Sequence, residues 1–342
     1  MIRKEKSPKV LEMVASLMKS FFVKKAARVD LLVGITLVGS GKGAIFLVLD
    51  YLRRKGIIKN KLDEVLVPDW LGYWVYNQIQ SVAFPTKRFS ERTKVLFVYH
   101  QYGFPQDMDA IMAFAKQKKL VVVEDCAHAI SSSYKGRPLG SFGDFAVYSF
   151  SKWLPCFALG GVKSSRSDFV AYAEDQIGKT PFGMTFLKDT AKFLYERSAI
   201  SDWRIPKEYA LMSLGMSYAV YGKALKPSSL AKSVLRTQVA DEMELRKKRY
   251  DHFYGEMKRN GACNNLEKEG ITPYVIPISV KTEKIHLLVN ALEKIGVEVS
   301  VCNFDINRNF LSPKFESRIL IPCHSGISDQ IFDDMIKAIL NV

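Results

Sequence analysis

The stretch LVVVEDCAHAI, Leu120–Ile130, has four consecutive aliphatic residues followed directly by two acids. A continuous apolar run of this kind is typical of a strand in a parallel sheet that is covered on both faces. TKVLFVYH, Thr93–His100, precedes it as another candidate strand. Between these two strands, the apolar side chains within 105–119 have the spacing of a helix. FAVYSF, residues 145–150, follows as a further strand. Strands that alternate with helices predict an α/β fold with a wound, mainly parallel sheet.

The rest of the chain divides into a large and a small predicted domain. We expect residues 1–235 to form the large domain, with an aromatic-rich helical insertion at about 168–226. A long predicted helix, LAKSVLRTQVADEMELRKKRYDHFYGEMKRN, leads into a small C-terminal α+β domain at 236–342. We expect the insertion to pack on the domain or on a partner subunit, and a membrane-surface helix is the alternative.

The composition is that of a globular, positively charged chain. Of its 342 residues 48% are hydrophobic, and the formal net charge is +15. This charge favours an anionic partner such as a nucleotide, a nucleic acid or a membrane surface. The basic residues are dispersed and match no nucleic-acid-binding motif, so nucleic-acid binding is not expected. Five scattered cysteines with no pair at metal-ligand spacing, and a start, MIRKEKSPKV, without an apolar leader, favour reduced thiols and a cytoplasmic location.

The segment LLVGITLVGSGKGAIFLVL, Leu31–Leu49, is nearly long and apolar enough to span a bilayer. Lys42 lies near its centre, where a charge is costly, and GSGKG divides it into a strand-like and a helix-like half. A buried strand, turn and helix is therefore the simpler interpretation. The three glycines before the helix, which we expect to start near Ala44, would let backbone N–H groups and the helix dipole hold a phosphate. The segment matches neither the P-loop pattern nor G-x-G-x-x-G, so this signal is weak by itself.

Asp125 lies at the end of the strand predicted from the opening stretch. In an open α/β sheet, ligands bind at the carboxyl ends of the strands. A carboxylate in this place can pair with a cationic ring nitrogen or a metal, and His128 could contact the same ligand. Asp125 could equally cap the following turn, and the segment alone favours neither interpretation.

The stretch VYSFSKWLP, Val147–Pro155, places Ser149 and Lys152 at the end of a later strand. A lysine in this position is either a solvated charge or a nucleophile, and partial burial near a cationic cofactor would favour the nucleophile by lowering the pKa of its amine. A phosphate cradle, a carboxylate for a ring nitrogen and a lysine for an aldehyde are together what pyridoxal phosphate requires. The order of these three features along the chain favours this cofactor.

The sequence resembles the DegT/StrS-type sugar aminotransferases, a family of fold-type I pyridoxal-phosphate enzymes. Their pattern of V-H-x-Y-G, D-M-D-x-I, E-D-x-A-[HQ]-A, Y-K-G-x-x-x-G-x-x-G-D, S-F with a lysine, and G-G is matched densely between Leu96 and Gly161. The likeness extends more loosely back through GSGKGAI and DEVLVPDW and forward to SRILIPCHSGISDQIFDDMIKAI. It implies a large domain with a mainly parallel wound sheet and a small C-terminal α+β domain.

The resemblance also implies a role for each candidate site residue. Lys152 would form an internal aldimine with pyridoxal 5'-phosphate, and Asp125 would pair with the pyridine nitrogen. His128 would lie near the cofactor's 3-hydroxyl. The phosphate would be bound by Ser149 and by the turn Ser40, Gly41 and Lys42, in which Lys42 replaces the usual threonine.

The reaction implied by the resemblance is a ping-pong transfer of an amino group from an amino acid, with glutamate as the expected donor, to a nucleotide-linked keto sugar. Polysaccharide biosynthesis and a homodimer are further expectations at the level of the family. A peripheral contact with an anionic membrane surface is consistent with the net charge of +15. A sugar dehydration is disfavoured, because the deoxygenating relatives carry histidine in place of Lys152.

Three departures from the family pattern leave an alternative open. Two residues rather than four separate Ser149 from Lys152, and Leu159 replaces the glutamate before the glycine pair. Gly72 stands where an aromatic residue usually stacks on the ring, with Tyr73 and Trp74 beside it. The alternative is a degenerate member of the family that acts as a cofactor-binding or scaffold protein without transaminase activity.

Overall fold

A computed structural model describes residues 10–22, 30–199, 220, 222–261 and 269–342. The strands of this part of the chain are β1 (Ile35–Val38), β2 (Glu64–Leu66), β3 (Phe84–Thr86), β4 (Thr93–Tyr99), β5 (Val121–Asp125), β6 (Ser133–Tyr134), β7 (Arg137–Pro138), β8 (Phe145–Ser149), β9 (Gly160–Lys163), β10 (Val275–Ser279), β11 (Ser300–Asp305) and β12 (Phe315–Pro322). The α-helices are α1 (Val10–Phe22), α2 (Gly41–Arg54), α3 (Tyr73–Gln80), α4 (Met108–Lys118), α5 (Ser167–Gly178), α6 (Met184–Ala199), α7 (Ser229–Arg259), α8 (Ile285–Lys294) and α9 (Asp329–Leu340).

The central sheet has seven strands in the order β1-β9-β8-β5-β4-β2-β3. The five strands from β8 to β3 are mutually parallel, whereas β9 runs antiparallel to both β8 and β1. The predicted wound, mainly parallel sheet is therefore confirmed. The parallel order brings the carboxyl ends of β4, β5 and β8 to one edge of the sheet, where ligands bind in folds of this class.

The side chains of β5 pack alternately on the two faces of the sheet, as the pleat of a strand requires. Val123 belongs to a buried cluster that contains Phe97 and residues of α2. Val122 belongs to a second cluster that contains Leu96 and residues of α4. Both valines are about 1% exposed, and burying each contributes roughly 1.5–3 kcal/mol to stability. This double coverage explains why the opening stretch is apolar without alternation.

The apolar segment at 31–49 forms a strand, a turn and the first part of a helix, as predicted, but only Val38 of the strand is fully buried. Helix α2 begins at Gly41, three residues before the predicted start, because Ser40 is its N-cap and accepts a hydrogen bond from the Gly43 N–H at 2.9 Å. Among the described helices, none combines the length and the apolar character needed to cross a membrane.

Helix α7 connects the central sheet to a second, antiparallel sheet with the order β10-β12-β11. Helices α8 and α9 cover that sheet through a separate apolar core. The predicted domain boundary at residue 235 falls inside α7, and the division into two domains stays a prediction. The described part of the predicted insertion is helical in α5 and α6, while residues 200–219 and 221 lie outside the described residues.

Candidate active site

Three neighbouring strand ends and the start of α2 form the candidate site. Asp125 ends β5, and its strand neighbours in register are Tyr99, which ends β4, and Val147 of β8. Ser149 ends β8. Because parallel strands end at the same edge, these residues lie together although they are distant in sequence.

Asp125 is buried, at 3% exposure, and takes the turn-capping role that the sequence left open. Its Oδ1 accepts a hydrogen bond from the Ala127 N–H at 3.0 Å, so it does cap the following turn. Burial raises the pKa of the Asp125 carboxyl, and the Ala127 amide and the nearby Lys152 charge offset part of that rise. The amine of Lys152 therefore lies close enough to this carboxyl to influence its charge.

Lys152 lies on a short 3-10 turn, Phe150–Lys152, directly after β8. The backbone N–H groups of Phe150 and Ser151 donate to the Leu159 carbonyl at 2.9 and 3.3 Å. The indole of Trp153 donates to the Ala127 carbonyl at 2.8 Å, which anchors the far side of the turn. The Nζ of Lys152 lies 2.9 Å from Nε2 of His128.

The imidazole of His128 contacts two parallel tyrosine rings and the hydroxyl of a third tyrosine. Its imidazole is stacked on Tyr274, with ring centroids 4.2 Å apart and planes 4° apart, and lies nearly parallel to Tyr102 at 5.5 Å and 14°. The hydroxyl of Tyr99 lies 2.6 Å from Nδ1. These contacts fix the plane of a side chain that is 8% exposed.

The start of α2 forms a close-packed cradle with β8 and β9. A Cβ atom added to Gly160 would lie 2.3 Å from the carbonyl carbon of Ser40, so this position requires glycine. A Cβ atom added to Gly41 would lie 2.9 Å from Cβ and 3.1 Å from Oγ of Ser149. The serine hydroxyl and the N-terminal amides of α2 are therefore neighbours, which is an arrangement suited to a phosphate.

The insertion covers this cradle from outside. The Gly39 N–H donates to the Leu225 carbonyl at 2.7 Å, and the Lys223 carbonyl lies 2.5 Å from a Cβ atom added to Gly43. Within α6, the buried Lys188 donates to the Ala158 carbonyl at 2.8 Å and pairs with Asp189 at 2.5 Å.

A family model for the DegT/DnrJ/EryC1/StrS aminotransferase family matches residues 86–177, which include Asp125, Ser149 and Lys152. Residues 86–177 are therefore similar to this family. A GDP-perosamine synthase from Escherichia coli O157:H7 is 43% identical over 70 residues, which are 20% of this chain and 19% of that relative. The match thus spans about a fifth of the relative's length.

Solved structures extend the likeness to nearly the whole chain. The aminotransferase TlmJ from Streptoalloteichus hindustanus has a TM-score of 0.68 at 15% identity and covers 100% of this chain and 98% of its own. The PLP-form of Spr1654 from Streptococcus pneumoniae has a TM-score of 0.67 at 18% identity, with 98% and 97% covered. At these identities the likeness shows the fold, and the predicted fold-type I architecture is confirmed.

Two departures from the family pattern have a structural explanation. Leu159, which replaces a glutamate, is fully buried, and its carbonyl holds the turn that carries Lys152. Gly72 is the N-cap of α3, and Trp74, two residues further on, provides an aromatic ring at the site. Nζ of Lys42 lies 4.2 Å from the centroid of the Trp74 ring, which is a cation–π contact.

Lys42, which replaces the family's threonine, is one of several cations at the site. Burial, followed by the charges of Lys192 on α6 and of Lys152, lowers the pKa of Lys42 from 10.5 to about 8. An anion bound among these amines would reverse that shift by stabilising the charged form. The site is therefore electrostatically prepared for a negative group.

The structure brings all seven predicted site residues to this strand edge: Ser40, Gly41, Lys42, Asp125, His128, Ser149 and Lys152. Sequence reasoning missed Tyr99, Tyr274 and Lys192. A signal for Tyr99 was present, because it stands where the family pattern V-H-x-Y-G begins with valine. Tyr274 lies beyond the matched segment, and Lys192 lies in the insertion, so no family motif marks either residue.

Proposed function

We propose that the protein is a pyridoxal-phosphate-dependent aminotransferase that moves an amino group from an amino acid to a keto group on a nucleotide-linked sugar. The observation that carries the proposal is the joint placement of Lys152, Asp125 and the cradle at one strand edge. The match of residues 86–177 to an aminotransferase family model and the name of the GDP-perosamine synthase relative support it.

The residues present fit pyridoxal phosphate in three respects. The α2 amides, Ser40 and Ser149 form a cradle that added Cβ atoms at Gly41 and Gly160 would fill, as a phosphate site built from backbone requires. Asp125 is a buried carboxylate that a cationic ring nitrogen would stabilise. Lys152 is an amine within the same site.

When bound, pyridoxal phosphate supplies an electron sink that stabilises negative charge at a substrate carbon. Lys152 would hold the aldehyde end through its amine and would move a proton to and from the substrate carbon. Asp125 would keep a proton at the ring nitrogen, and His128 would lie near the 3-hydroxyl. Ser149 and the turn Ser40–Lys42 orient the phosphate.

The substrates and partners proposed follow the family and the charge of the chain. We propose glutamate as the amino donor in ping-pong chemistry, and a nucleotide diphosphate sugar as the acceptor, because the site gathers cations. We also propose a homodimer, a cytoplasmic location and a role in polysaccharide biosynthesis. The net charge of +15 supports a peripheral contact with anionic membrane as a further proposal.

The test begins with the purified protein incubated with pyridoxal phosphate. We expect visible absorbance, permanent attachment of the cofactor to Lys152 after borohydride reduction, bleaching by glutamate, and recovery of the band with a nucleotide-linked keto sugar. A Lys152→Ala variant should lose the attachment and the amino transfer completely, because no other residue supplies the amine to the aldehyde in this proposal.

As a control, circular dichroism and thermal unfolding should show that the Lys152→Ala variant folds like the wild type. A wild-type protein that binds the cofactor at Lys152 but is bleached by no amino acid would support the scaffold alternative. Attachment that persists in Lys152→Ala would overturn the assigned role of this lysine.

A further inference from the structure

The amino edge of the central sheet, opposite the candidate site, gathers basic residues that are dispersed along the sequence. Three segments lead into the neighbouring strands β2, β4 and β5, namely 59–64, 87–94 and 116–120. Nine of their 19 residues are Lys or Arg, against 50 of 342 in the whole chain, and three are acidic. We propose that this amino-edge surface docks the protein on an anionic membrane. The inference rests on the membrane contact proposed above from the net charge, and it gives that contact a location.

The parallel strands bring the three segments together. Glu64 of β2 pairs with Thr93 of β4, and Val95 of β4 pairs with Val121 of β5. Neighbouring strands lie about 4.8 Å apart, so the starts of all three strands lie within about 10 Å across the sheet. Helix α4 also ends at this edge, because β5 begins directly after it. Eight of the nine cations are exposed and Lys94 is half-buried: Lys59, Lys61, Lys87, Arg88, Arg92, Lys94, Lys116, Lys118 and Lys119.

Ion pairs do not neutralise the positive charge of the amino-edge surface. Within the described part of the chain, none of the nine side chains lies within ion-pair distance of a carboxylate. Two of the three acids hold the loops instead. Asp63 accepts the Lys59 N–H at 2.5 Å, and Glu64 accepts the hydroxyls of Ser90 and Thr93 at 2.6 and 3.1 Å. The field of the cations is therefore available to an external anionic surface.

Three apolar side chains lie among or beside these cations. Leu62 is 63% exposed, Phe84 51% and Phe89 39%. Phe84 is in register with Glu64 at the start of β3, and Phe89 packs edge-on against Phe114 of α4 with ring centroids 5.6 Å apart. Exposed apolar groups flanked by Lys and Arg are typical of a surface that lies in the membrane interface. The cations there attract lipid phosphates, and the apolar groups enter the boundary of the acyl chains.

A nucleic acid fits these apolar side chains less well than a membrane does. Single-stranded nucleic acids bind by stacking their bases on open aromatic faces. Nζ of Lys118 lies 5.0 Å from the centroid of the Phe89 ring and so covers one of its faces. Leu62 has no flat face to offer. The exposed apolar area is therefore suited to acyl chains rather than to bases.

Docking through the amino-edge surface leaves the candidate site open. Tyr99 and Asp125 end β4 and β5 at the opposite edge of the sheet. The length of β4, which has seven residues, separates the two edges by about 20 Å. Substrates would therefore enter from the side that faces away from the lipid.

The test is co-sedimentation of the full-length protein with vesicles, without cofactor or substrate. We expect binding to phosphatidylcholine vesicles that contain about one-third phosphatidylserine, weakening as salt is added, and no binding to phosphatidylcholine alone. The triple variant Arg92→Gln/Lys118→Gln/Lys119→Gln should bind roughly a hundredfold more weakly, the factor expected for three cations at an anionic surface.

The matched control removes three exposed lysines from α7 and α8, in Lys247→Gln/Lys258→Gln/Lys294→Gln. Its net charge equals that of the first triple variant, and its affinity should stay within about twofold of the wild type, because the lost charges lie away from the docking surface.

A second pair of variants tests the apolar contribution. Leu62→Ser should weaken vesicle binding roughly fivefold, because less apolar area is removed from water. Leu287→Ser, at a leucine of α8 that is 51% exposed, should leave the affinity unchanged.

The proposal is overturned if the wild type binds both kinds of vesicle equally or binds neither, or if the two triple variants lose equal affinity. It is also overturned if the wild type binds a single-stranded oligonucleotide through these cations more tightly than it binds the vesicles. A dimer that dissociates in light scattering of the first triple variant would assign the surface to a second copy of the chain. Since vesicle binding needs no cofactor, its failure would leave the proposed amino transfer standing, and an inactive enzyme would leave the membrane contact standing.

Discussion

Neighbouring side chains at the ends of β4 and β5 face opposite sides of the sheet and meet opposite surroundings. On the α4 side, His100 and Glu124 are fully buried, and Nε2 of His100 lies 3.3 Å from Glu124. Glu124 also accepts backbone N–H bonds at 2.8, 2.7 and 2.7 Å from Gly140, Phe142 and Gly143. On the α2 side, Tyr99 and Asp125 face the candidate site.

The two carboxylates respond to burial in opposite directions. Burial alone raises the pKa of Glu124, but the His100 and backbone donors outweigh it, so the pKa is lowered overall. The pKa of Asp125 is raised, because a single backbone amide and a nearby charge offset only part of the same penalty. The difference shows how hydrogen bonds separate two kinds of buried acid. A carboxylate whose oxygens already accept several hydrogen bonds has a structural role, whereas a buried carboxylate with few donors can still be stabilised by a cationic ligand.

The same contrast bears on a cluster that could be mistaken for a metal site. Ligand atoms of His100, Glu124 and Cys126 lie within 4.8 Å of one another. Nδ1 of His100 already accepts the Gln106 N–H at 3.2 Å, and both Glu124 oxygens accept backbone donors. The cluster therefore joins β4 and β5 to the loop at 139–144 and has a structural role.

The largest expected effect on activity is that of Asp125→Asn, on the α2 side of the sheet. An amide still accepts the Ala127 N–H but cannot stabilise a protonated ring nitrogen, so amino transfer should fall roughly a hundred- to a thousandfold. The measurement is the rate at which glutamate bleaches the bound cofactor. The free energy of unfolding without cofactor should change by less than about 1 kcal/mol, and a larger loss would mean that Asp125 is a structural acid like Glu124.

Glu124→Gln, on the α4 side of the sheet, should lower stability and leave the rate of amino transfer nearly unchanged. One amide N–H₂ would face backbone donors and leave them unpaired, which we expect to lower the free energy of unfolding by about 3 kcal/mol in urea. The rate of bleaching per molecule of folded holoenzyme should stay within about threefold of the wild type. A stable but inactive variant would break the comparison.

The pH dependence of that stability loss has a definite sign. Because the folded-state pKa of Glu124 lies below its ordinary 4.5, its stabilising contribution is present above pH 4.5 and is lost as the pH falls through the folded value. The gap between the wild type and Glu124→Gln should therefore narrow on acidification below pH 4.5. Asp125, whose pKa is raised above 3.8, contributes with the opposite slope.

A smaller effect, on cofactor affinity, is expected from Lys42→Thr. This change introduces the threonine of the family pattern and removes one positive charge from the candidate site. Below pH about 8 the protonated Lys42 should favour a phosphate, so the variant should bind pyridoxal phosphate roughly tenfold more weakly there, as measured by quenching of tryptophan fluorescence. Above that pH the wild type loses the advantage and the two affinities should converge. Pyridoxal, which has no phosphate, serves as the matched ligand, and an equal effect on both ligands would contradict the assignment.

The sequence was sufficient wherever a strand end or a turn carries the information locally. The apolar run before Asp125 and the strand before Lys152 predicted both the sheet and the residues at its edge, because the carboxyl end of a parallel strand is determined by its own sequence. Helix α2 starts three residues before the predicted position, because the hydroxyl of Ser40 caps it.

Contacts between distant segments were beyond such reasoning. Trp74 could be named as a neighbour of Gly72, but its position over Lys42 depends on how α3 packs against α2. Tyr274, which lies just before the second sheet, stacks on His128. The Leu159 carbonyl accepts hydrogen bonds from the turn that carries Lys152, a backbone contact that does not depend on the leucine side chain. Backbone groups and long-range ring contacts leave no pattern in a single sequence.

The hydrogen bond between Gly39 and Leu225 ties the beginning of the cradle to a residue far along the chain. A nascent polypeptide emerging from the ribosome has the glycine turn early, yet lacks its outer cover until nearly two-thirds of the 342 residues have been made. For the proposed cofactor, a complete cradle is therefore expected only after the segment that carries Lys152 has been synthesised.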